Sequence, residues 1–522
     1  MQALKISSLC KCEMCGAAPY NAGGRMWMTL PRCLRCEDIA SADPFMQEVL
    51  EFLATKAGRH EIFLVGGYLR DLLLGKPARD ADFATVLSPG ELAAKTARRF
   101  GGKAVPLKEE EGIFRVALRR EGRLYNLDFT SLKGRSLEED LSRRDFTINA
   151  MALDVWTLCL QQEVLLPRDL VDKHYGWRDL KEGVLRECSK EAFRADPVRV
   201  LRAVRFMQAM GMTPEPRTLN HMKKYAALLA RAPGERMAVE VLEVLSLSGS
   251  SAVFSWLQAQ GILHHIFPAL DRLPGVTQNH YHHLDAWGHT LATLDELDGL
   301  VGRPETAYPR FAVNIKEILS RPLQGPYARA ALLRLAALFH DAGKADTWSR
   351  GEDGRIHFYG HAGHSVEEVA QAARRLCLSR RTSEYLQSMV REHMRMASVL
   401  AGGVTKRGLA RILTRLGEET VDLVILSTAD RLATRGPAST QEDVRRFIEL
   451  GSEMLALAER EGESPPLLNG RDLQEELGMR EGEELGRVLR RLRDAQLEGE
   501  IGSRDEALAL ARRMLREEGG SS

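Results

Sequence analysis

The chain is expected to be an α+β multidomain protein, with an α/β head, an all-helical remainder and a small cysteine-paired module at its amino terminus. Three observations predict this. Between residues 43 and 160 short apolar strand patterns alternate with helical ones, from about 161 the apolar spacing becomes helical, and before 43 four of five cysteines fall in two close pairs, with Cys10 able to substitute for Cys12. A chain of 522 residues has ample volume for several such cores. The expected divisions are 1–42, 43–160, 161–270, 271–450 and 451–522. Pro214, Pro216 and Pro233 punctuate the third segment, and Glu463-Ser464-Pro465-Pro466 lies close to the last boundary.

In the first segment two residues separate Cys12 from Cys15 and Cys33 from Cys36, with seventeen residues between the pairs. Thiolates at that spacing on a tight turn converge on one ion, and two such knuckles complete a tetrahedron. A zinc ribbon holding Zn²⁺ is therefore expected. A rubredoxin-like iron site, two disulfides or scattered buried thiols would use the same residues. Cys159, Cys188 and Cys377 read as ordinary core residues.

The head is announced by Leu64 to Phe83, LVGGYLRDLLLGKPARDADF. A β-rich run, Ile62 to Val65, ends in Gly66 and Gly67, and a helical run through Leu69, Leu72 and Leu73 follows. Glycines at a strand-to-helix turn let backbone N–H groups approach an anion, and the positive helix end adds to the attraction, which makes a phosphate site. Asp80 and Asp82 alternate across Ala81, so in an extended segment both carboxylates point to one side. Asp128, in LYNLDFTSL, offers a third carboxylate on a strand that can lie beside the first. Hard oxygen ligands in this arrangement suit Mg²⁺ and suggest nucleotidyl transfer. A lone Asp-x-Asp after Lys76-Pro77 would read as a turn; the next motifs argue against that.

RRDFTINAMA sets Arg144, Asp145 and Asn149 in an otherwise apolar element. ADPVRVLRAVRF spaces Arg199, Arg202 and Arg205 by three residues, one stripe of a helix whose other face is Val200, Leu201, Val204 and Phe206. Arg186 to Arg236 holds eleven Lys and Arg against five Asp and Glu, an excess able to track a phosphodiester backbone.

Taken together, these motifs resemble the class II tRNA nucleotidyltransferases, the CCA-adding and bacterial poly(A) polymerase family, from about Phe45 to Ala511. The resemblance implies a polymerase β-like nucleotidyltransferase head and a helical neck. It implies that Gly66 and Gly67 hold the triphosphate, with Arg70 and Asp71 stabilising that motif, and that Asp80, Asp82 and Asp128 are the catalytic carboxylates, with Mg²⁺ on Asp80 and Asp82. Arg144, Asp145 and Asn149 match the motif that contacts the ribose and phosphates of the incoming nucleotide, and Arg202 and Arg205 extend the nucleotide-binding stripe. Asp172, Gly176 and Asp179 match the hinge between head and neck. Asp196 and Arg199 match the protein template that reads the Watson–Crick edge of CTP or ATP, an Asp accepting from an exocyclic amine and an Arg donating to ring acceptors. Two features depart from the family pattern. Ala195 stands where a Glu usually precedes the template Asp, and the connection from Asp128 to Arg143 is short where full CCA-adding members carry a longer loop. Both point to CC addition.

A second constellation runs through HHLDAWGHTL, LLRLAALFHDAGK, HFYGHAGHS, REHM and STADRLA. Its candidate ligands are His289, His340, Asp341, His361, His393 and Asp430. Imidazoles with carboxylates suit a divalent transition metal or Mg²⁺ better than a closed structural zinc. The set resembles the HD phosphohydrolase superfamily in its version with two extra histidines. His264, His265, His280, His282, His283 and His364 fall outside the pattern, as structural or supporting groups.

The net charge of +1 argues against a surface that coats nucleic acid uniformly, and the mixed charges of the carboxyl-terminal tail favour a shape-defined partner, tRNA, over arbitrary RNA. No signal peptide or membrane-length apolar run is visible, so a cytoplasmic protein without membrane contact is expected. The expected function is addition of C, and in the CCA-adding alternative also A, from CTP and ATP to the tRNA 3′ end, with no obligate protein partner. A poly(A) polymerase, and an HD phosphohydrolase whose head only senses nucleotides, are the competing readings.

Overall fold

The computed structural model describes residues 30, 33–34, 39, 43–76, 78, 80–160, 164–463 and 466–519. Cys12, Cys15 and Cys36 lie outside the described residues. The Cys33–Leu34 backbone forms a two-residue strand antiparallel to Val164–Leu165. The chain divides into two compact units between Ala232 and Pro233, inside the segment expected to form one neck.

The first unit is built on a six-stranded mixed sheet. Its strands are β1 (Ile62–Val65), β2 (Asp80–Thr85), β3 (Lys103–Lys108), β4 (Ile113–Arg120), β5 (Arg123–Ser131) and β6 (Ala152–Asp154), in the spatial order β3-β4-β5-β2-β1-β6. Only β2 and β5 run parallel. Glu121 and Gly122, both at positive φ, form the two-residue loop of the β4–β5 hairpin. Such a loop matches the twist of the strands it joins and fixes their register. On one face of the β2–β5 pair Phe83 and Phe129 stack at 5.2 Å in the core. The period of two puts Asp82 and Asp128 on the other face.

Helix α1 (Pro44–Ala54) starts at Asp43, whose carboxylate accepts from the Phe45 and Met46 amides. Helix α2 (Gly66–Leu73) leaves β1 directly, and α3 (Pro89–Phe100) is capped by Ser88 and stopped by Gly101 at φ +72°. The motif between β5 and β6 is tied to the segment after the sheet: the Thr147 amide donates to the Arg186 carbonyl, and the Cys188 amide to the Asp145 carbonyl. Val184–Leu185 then pairs with Thr213–Pro214, so residues up to 214 belong physically with the head. That is why the division falls later than 160.

The second unit is helical apart from short two- and three-residue strand pairs. Its central helix, Glu419–Ala433, is buried along most of its length, and Asp422 within it accepts from the buried Arg329 and from Tyr385. Three carboxyl-terminal helices, Gly470–Leu477, Glu483–Glu498 and Arg504–Gly519, enclose their own core around Leu473, Val488, Ala495 and Ala507. Cys377, expected in the core, is exposed: it sits at φ 51° in the turn after a helix, where its side chain faces out. Among the described residues no helix is long and apolar enough to cross a membrane.

Candidate functional site

The sheet register assembles the head site. Asp82 lies directly opposite Asp128 on the parallel neighbour, and Asp80 opposite Asn126. All three carboxylates therefore share one face. Asp80 is exposed and accepts from the Asn126 amide at 2.9 Å, while Asp128 is gripped by Arg115 through two bonds of 2.7 Å. Burial raises the Asp82 carboxyl above its usual range; Arg144 and Arg202 pull it down, while Asp128 and Asp80 push it further up. Hard oxygen donors on one face suit a divalent cation, although among the described residues the three carboxylates do not each bring an oxygen within 4.8 Å of the others. At Gly66, φ is +73° and a Cβ would stand 2.6 Å from Oδ2 of Asp82. Only glycine suits that position.

Beside the carboxylates runs a polar chain. Arg70 donates from Nη1 to Asn149 at 2.7 Å, Asn149 donates to Asp145 at 3.0 Å, and Arg202 meets the other Asp145 oxygen at 2.7 Å. Burial opposes the Asp145 charge, yet Arg202, Asn149, the Phe146 amide and Arg199 outweigh it and hold the carboxyl below its usual range. Arg144 reaches Asp140 at 3.4 Å, and Arg205 lies over the Phe206 ring. Arg199 is 3.8 Å from Asp196 and donates to the carbonyls of Arg143, Arg144 and Ala192. Its guanidinium thus braces the Arg143–Arg144 backbone. Asp179 and Gly176, expected in the hinge, also meet this motif. Asp172 accepts from the Gly176 and Trp177 amides, Asp179 accepts from Thr147, and a Cβ on Gly176 would come within 2.1 Å of the Thr147 carbonyl oxygen.

In the helical unit all six expected ligands converge. His289 lies on the helix Ala286–Gly302, His340 ends Arg329–Phe339, His361 opens His361–Arg375, His393 ends Arg380–Glu392, and Asp430 comes from the central helix. The ligand atoms of His289, His340 and Asp430 lie within 4.8 Å of one another, as do those of Asp341, His361 and His393. Asp341 joins the two groups, 3.1 Å from His340 Nε2 and 3.5 Å from His361 Nε2. His340, His361 and His393 each donate Nδ1–H to a carbonyl three residues back, at 2.7 to 2.8 Å. This turns each Nε2 toward the cluster, where that of His340 lies 3.1 Å from Asp341 and 3.3 Å from His289 Nε2. Burial holds His393 down at about 4, so its ring is neutral at physiological pH. Nε2 of His361 is buried without a hydrogen-bond partner, as expected of a lone pair meant for a cation. The cluster opens into a cleft of about 470 Å³ also lined by His282, Lys344, Tyr359 and Arg431.

Lys344, Arg115 and Asn126 have no role in the sequence reading of these sites, and His282 only a supporting one. Lys344, three residues after Asp341, is 6% exposed and bonds it at 2.6 Å. His282, left as a supporting group, sits edge-on to His289 with 4.8 Å between ring centres. Arg115 and Asn126 partner Asp128 and Asp80; their alternation within β4 and β5 was the available signal.

Residues 62–186 match the family described as Poly A polymerase head domain, 211–273 the probable RNA and SrmB-binding site of polymerase A, and 310–435 the HD domain. The A-adding tRNA nucleotidyltransferase of Deinococcus radiodurans is 35% identical over 88% of this chain and 96% of its own length. The chain belongs to the tRNA nucleotidyltransferase family. The CC-adding tRNA nucleotidyltransferase of Thermus thermophilus is 33% identical to this nucleotidyltransferase over 86% of the chain and 92% of the relative. The Thermotoga maritima CCA-adding enzyme, solved with tRNA-CCA, covers 93% of the chain with all of its own, at a TM-score of 0.57 and 20% identity. A CCA-adding enzyme solved with CTP gives 0.59 with the same coverage and identity. These two likenesses place the fold, an α/β head followed by helices.

Proposed function

We propose that this nucleotidyltransferase transfers cytidylate from CTP to the 3′ end of tRNA and stops after two additions. Asp80, Asp82 and Asp128 would hold Mg²⁺, which when bound lowers the pKa of the attacking hydroxyl and neutralises the triphosphate. Gly66 and Gly67 open α2 and admit a phosphate against backbone N–H groups, with Arg144 beside them. Asp145, held ionised by Arg202, and Asn149 offer acceptors to the ribose. Asp196 and Arg199 would read the base, Arg199 exchanging main-chain carbonyls for ring acceptors.

One observation carries the choice of C over A. The short connection between β5 and Arg143 is pinned: the Lys133 amide donates to Asp140, the Arg135 amide to Glu139, and Ser136 caps the helix Leu137–Ser142. A tied connection gives the template no lever for switching from C to A. The test supplies CTP alone, ATP alone and both to tRNA ending at the discriminator base, and ATP alone to tRNA ending in CC. Two cytidylates and no adenylate are expected. Efficient conversion of CC to CCA would overturn the proposal, and long tails made from ATP on unstructured RNA would favour a poly(A) polymerase.

The buried His and Asp cluster supports a second activity, metal-dependent phosphate-ester hydrolysis in the HD domain, with a transition metal held by the six ligands. For Cys12, Cys15, Cys33 and Cys36 the proposal is one Zn²⁺ per chain. Cys33→Ser should then release one equivalent of zinc, read by metal analysis of the purified protein. The site of action is proposed to be the cytoplasm, where tRNA ends are made.

A further inference from the structure

Arg115 and Asp128 face each other across the β4–β5 hairpin, and Asp128 faces Asp82 across the parallel pair. Directly opposed residues share a sheet face, so the guanidinium and both carboxylates stand in one row. Nε and Nη2 of Arg115 each donate 2.7 Å to a different oxygen of Asp128. A fork of this kind is stronger than a single neutral bond and holds the carboxylate in one plane. The partner of Asp80, in contrast, is the neutral Asn126 amide. Asp128 is therefore forked by a protein cation, where Asp80 is held by a neutral amide and Asp82 lies in the field of Arg144 and Arg202. The Arg115 side chain is 39% exposed, so its grip is of moderate strength and open to competition.

We infer that Arg115 is a positioning residue that acts as a built-in counter-cation for Asp128, competing with a divalent ion for that carboxylate and keeping the nucleotide-free site weak for metal. Mg²⁺ binds proteins through one or two carboxylates together with substrate phosphates. With Asp128 withheld, the site takes up its ion chiefly along with the triphosphate, which adds the missing oxygens. The inference rests on the reading of Asp80, Asp82 and Asp128 as the metal carboxylates.

The experiment titrates the full-length protein with Mn²⁺, followed by electron paramagnetic resonance, without nucleotide and then with CTP. The head population is the part that Asp82→Asn removes, which separates it from ions bound in the HD domain. Arg115→Gln should tighten this population about three- to tenfold without CTP, the range expected for removing one partly exposed charge-assisted pair. With CTP the gap should close. Asp128→Asn should leave the nucleotide-free affinity of the parent nearly unchanged and cancel the gain of Arg115→Gln. Should Arg115→Gln not fold, Arg115→Lys carries the same contrast at smaller size, since a point charge cannot fork. Unchanged affinity in Arg115→Gln overturns the inference, as does an equal cost of Asp128→Asn in both backgrounds, because a general field effect would explain the gain. If Asp82→Asn removes no Mn²⁺ in any background, the carboxylate reading falls first and the inference with it.

Discussion

The carboxylates of the head and the ligand cluster of the helical unit, both proposed to hold a cation, are built in opposite ways. In the head, three carboxylates come from two adjacent strands, one exposed and the others half-buried, and the protein itself matches their charge with Arg115, Arg144 and Arg202. In the HD cluster, ligands separated by up to 141 residues (289 to 430) meet in the interior, and three of four imidazoles are locked by main-chain carbonyls. One site is tuned by charge, the other by geometry. A charge-tuned site should lose function on an isosteric change that spares the fold; a geometry-tuned site should lose its ion when ligands are cut away.

The largest effect is expected in the head. Asp82→Asn keeps the shape and removes the charge, so nucleotide addition should fall by about 10³-fold or more at millimolar Mg²⁺. The unfolding temperature should barely move. Near-full activity in a gel-based extension assay would show that charge is not what this site supplies. In the cluster, His340→Ala with Asp341→Ala should empty the metal site and abolish phosphate-ester hydrolysis while addition stays within about twofold of the parent. Metal analysis beside both assays checks this. Retention of the bound transition metal would break the comparison from the other side.

Two smaller effects sharpen it. Gly176→Ala drives a methyl into the Thr147 carbonyl and should cost about 2–3 kcal/mol in a urea titration, because backbone cannot give way as a side chain can. Full stability would mean that the hinge is looser than its contacts. Asp145→Asn tests the charge matching directly. The Asp145 pKa is below its unfolded value, so its stabilisation is present above that value and is lost as the pH falls through the folded pKa. A deficit of about 2 kcal/mol is expected at neutral pH, roughly constant down to pH 5 and shrinking below pH 4. A deficit that does not change with pH would assign the effect to packing.

The sequence made these two regions legible to different degrees. The row of Asp82 and Asp128 could be anticipated because alternation and strand adjacency are local properties. Arg115 was within reach as well: with Glu121-Gly122 as a two-residue hairpin loop, counting back from the turn puts residue 115 opposite 128. The six HD ligands were named from motif order, but nothing in their spacing says that Asp341 stands between both groups or that Lys344 bonds it. Those facts depend on how five helical segments pack. The boundary after Ala232 has no periodic signature either, since pairing of Val184–Leu185 with Thr213–Pro214 is a tertiary event. Cys377 shows a limit of composition: cysteine is usually buried, and a left-handed turn turned this one outward.

The absence of a side chain at Gly66 has a consequence for how this protein can change. The space a Cβ would need is occupied by Oδ2 of Asp82, so the turn proposed to receive phosphate and the carboxylate proposed to receive metal share one volume. Neither can be enlarged or shifted without disturbing the other. On the proposed roles, variation in nucleotide preference is channelled away from this corner, toward Asp196 and Arg199, and the grip on phosphate and the grip on metal are inherited as a single trait.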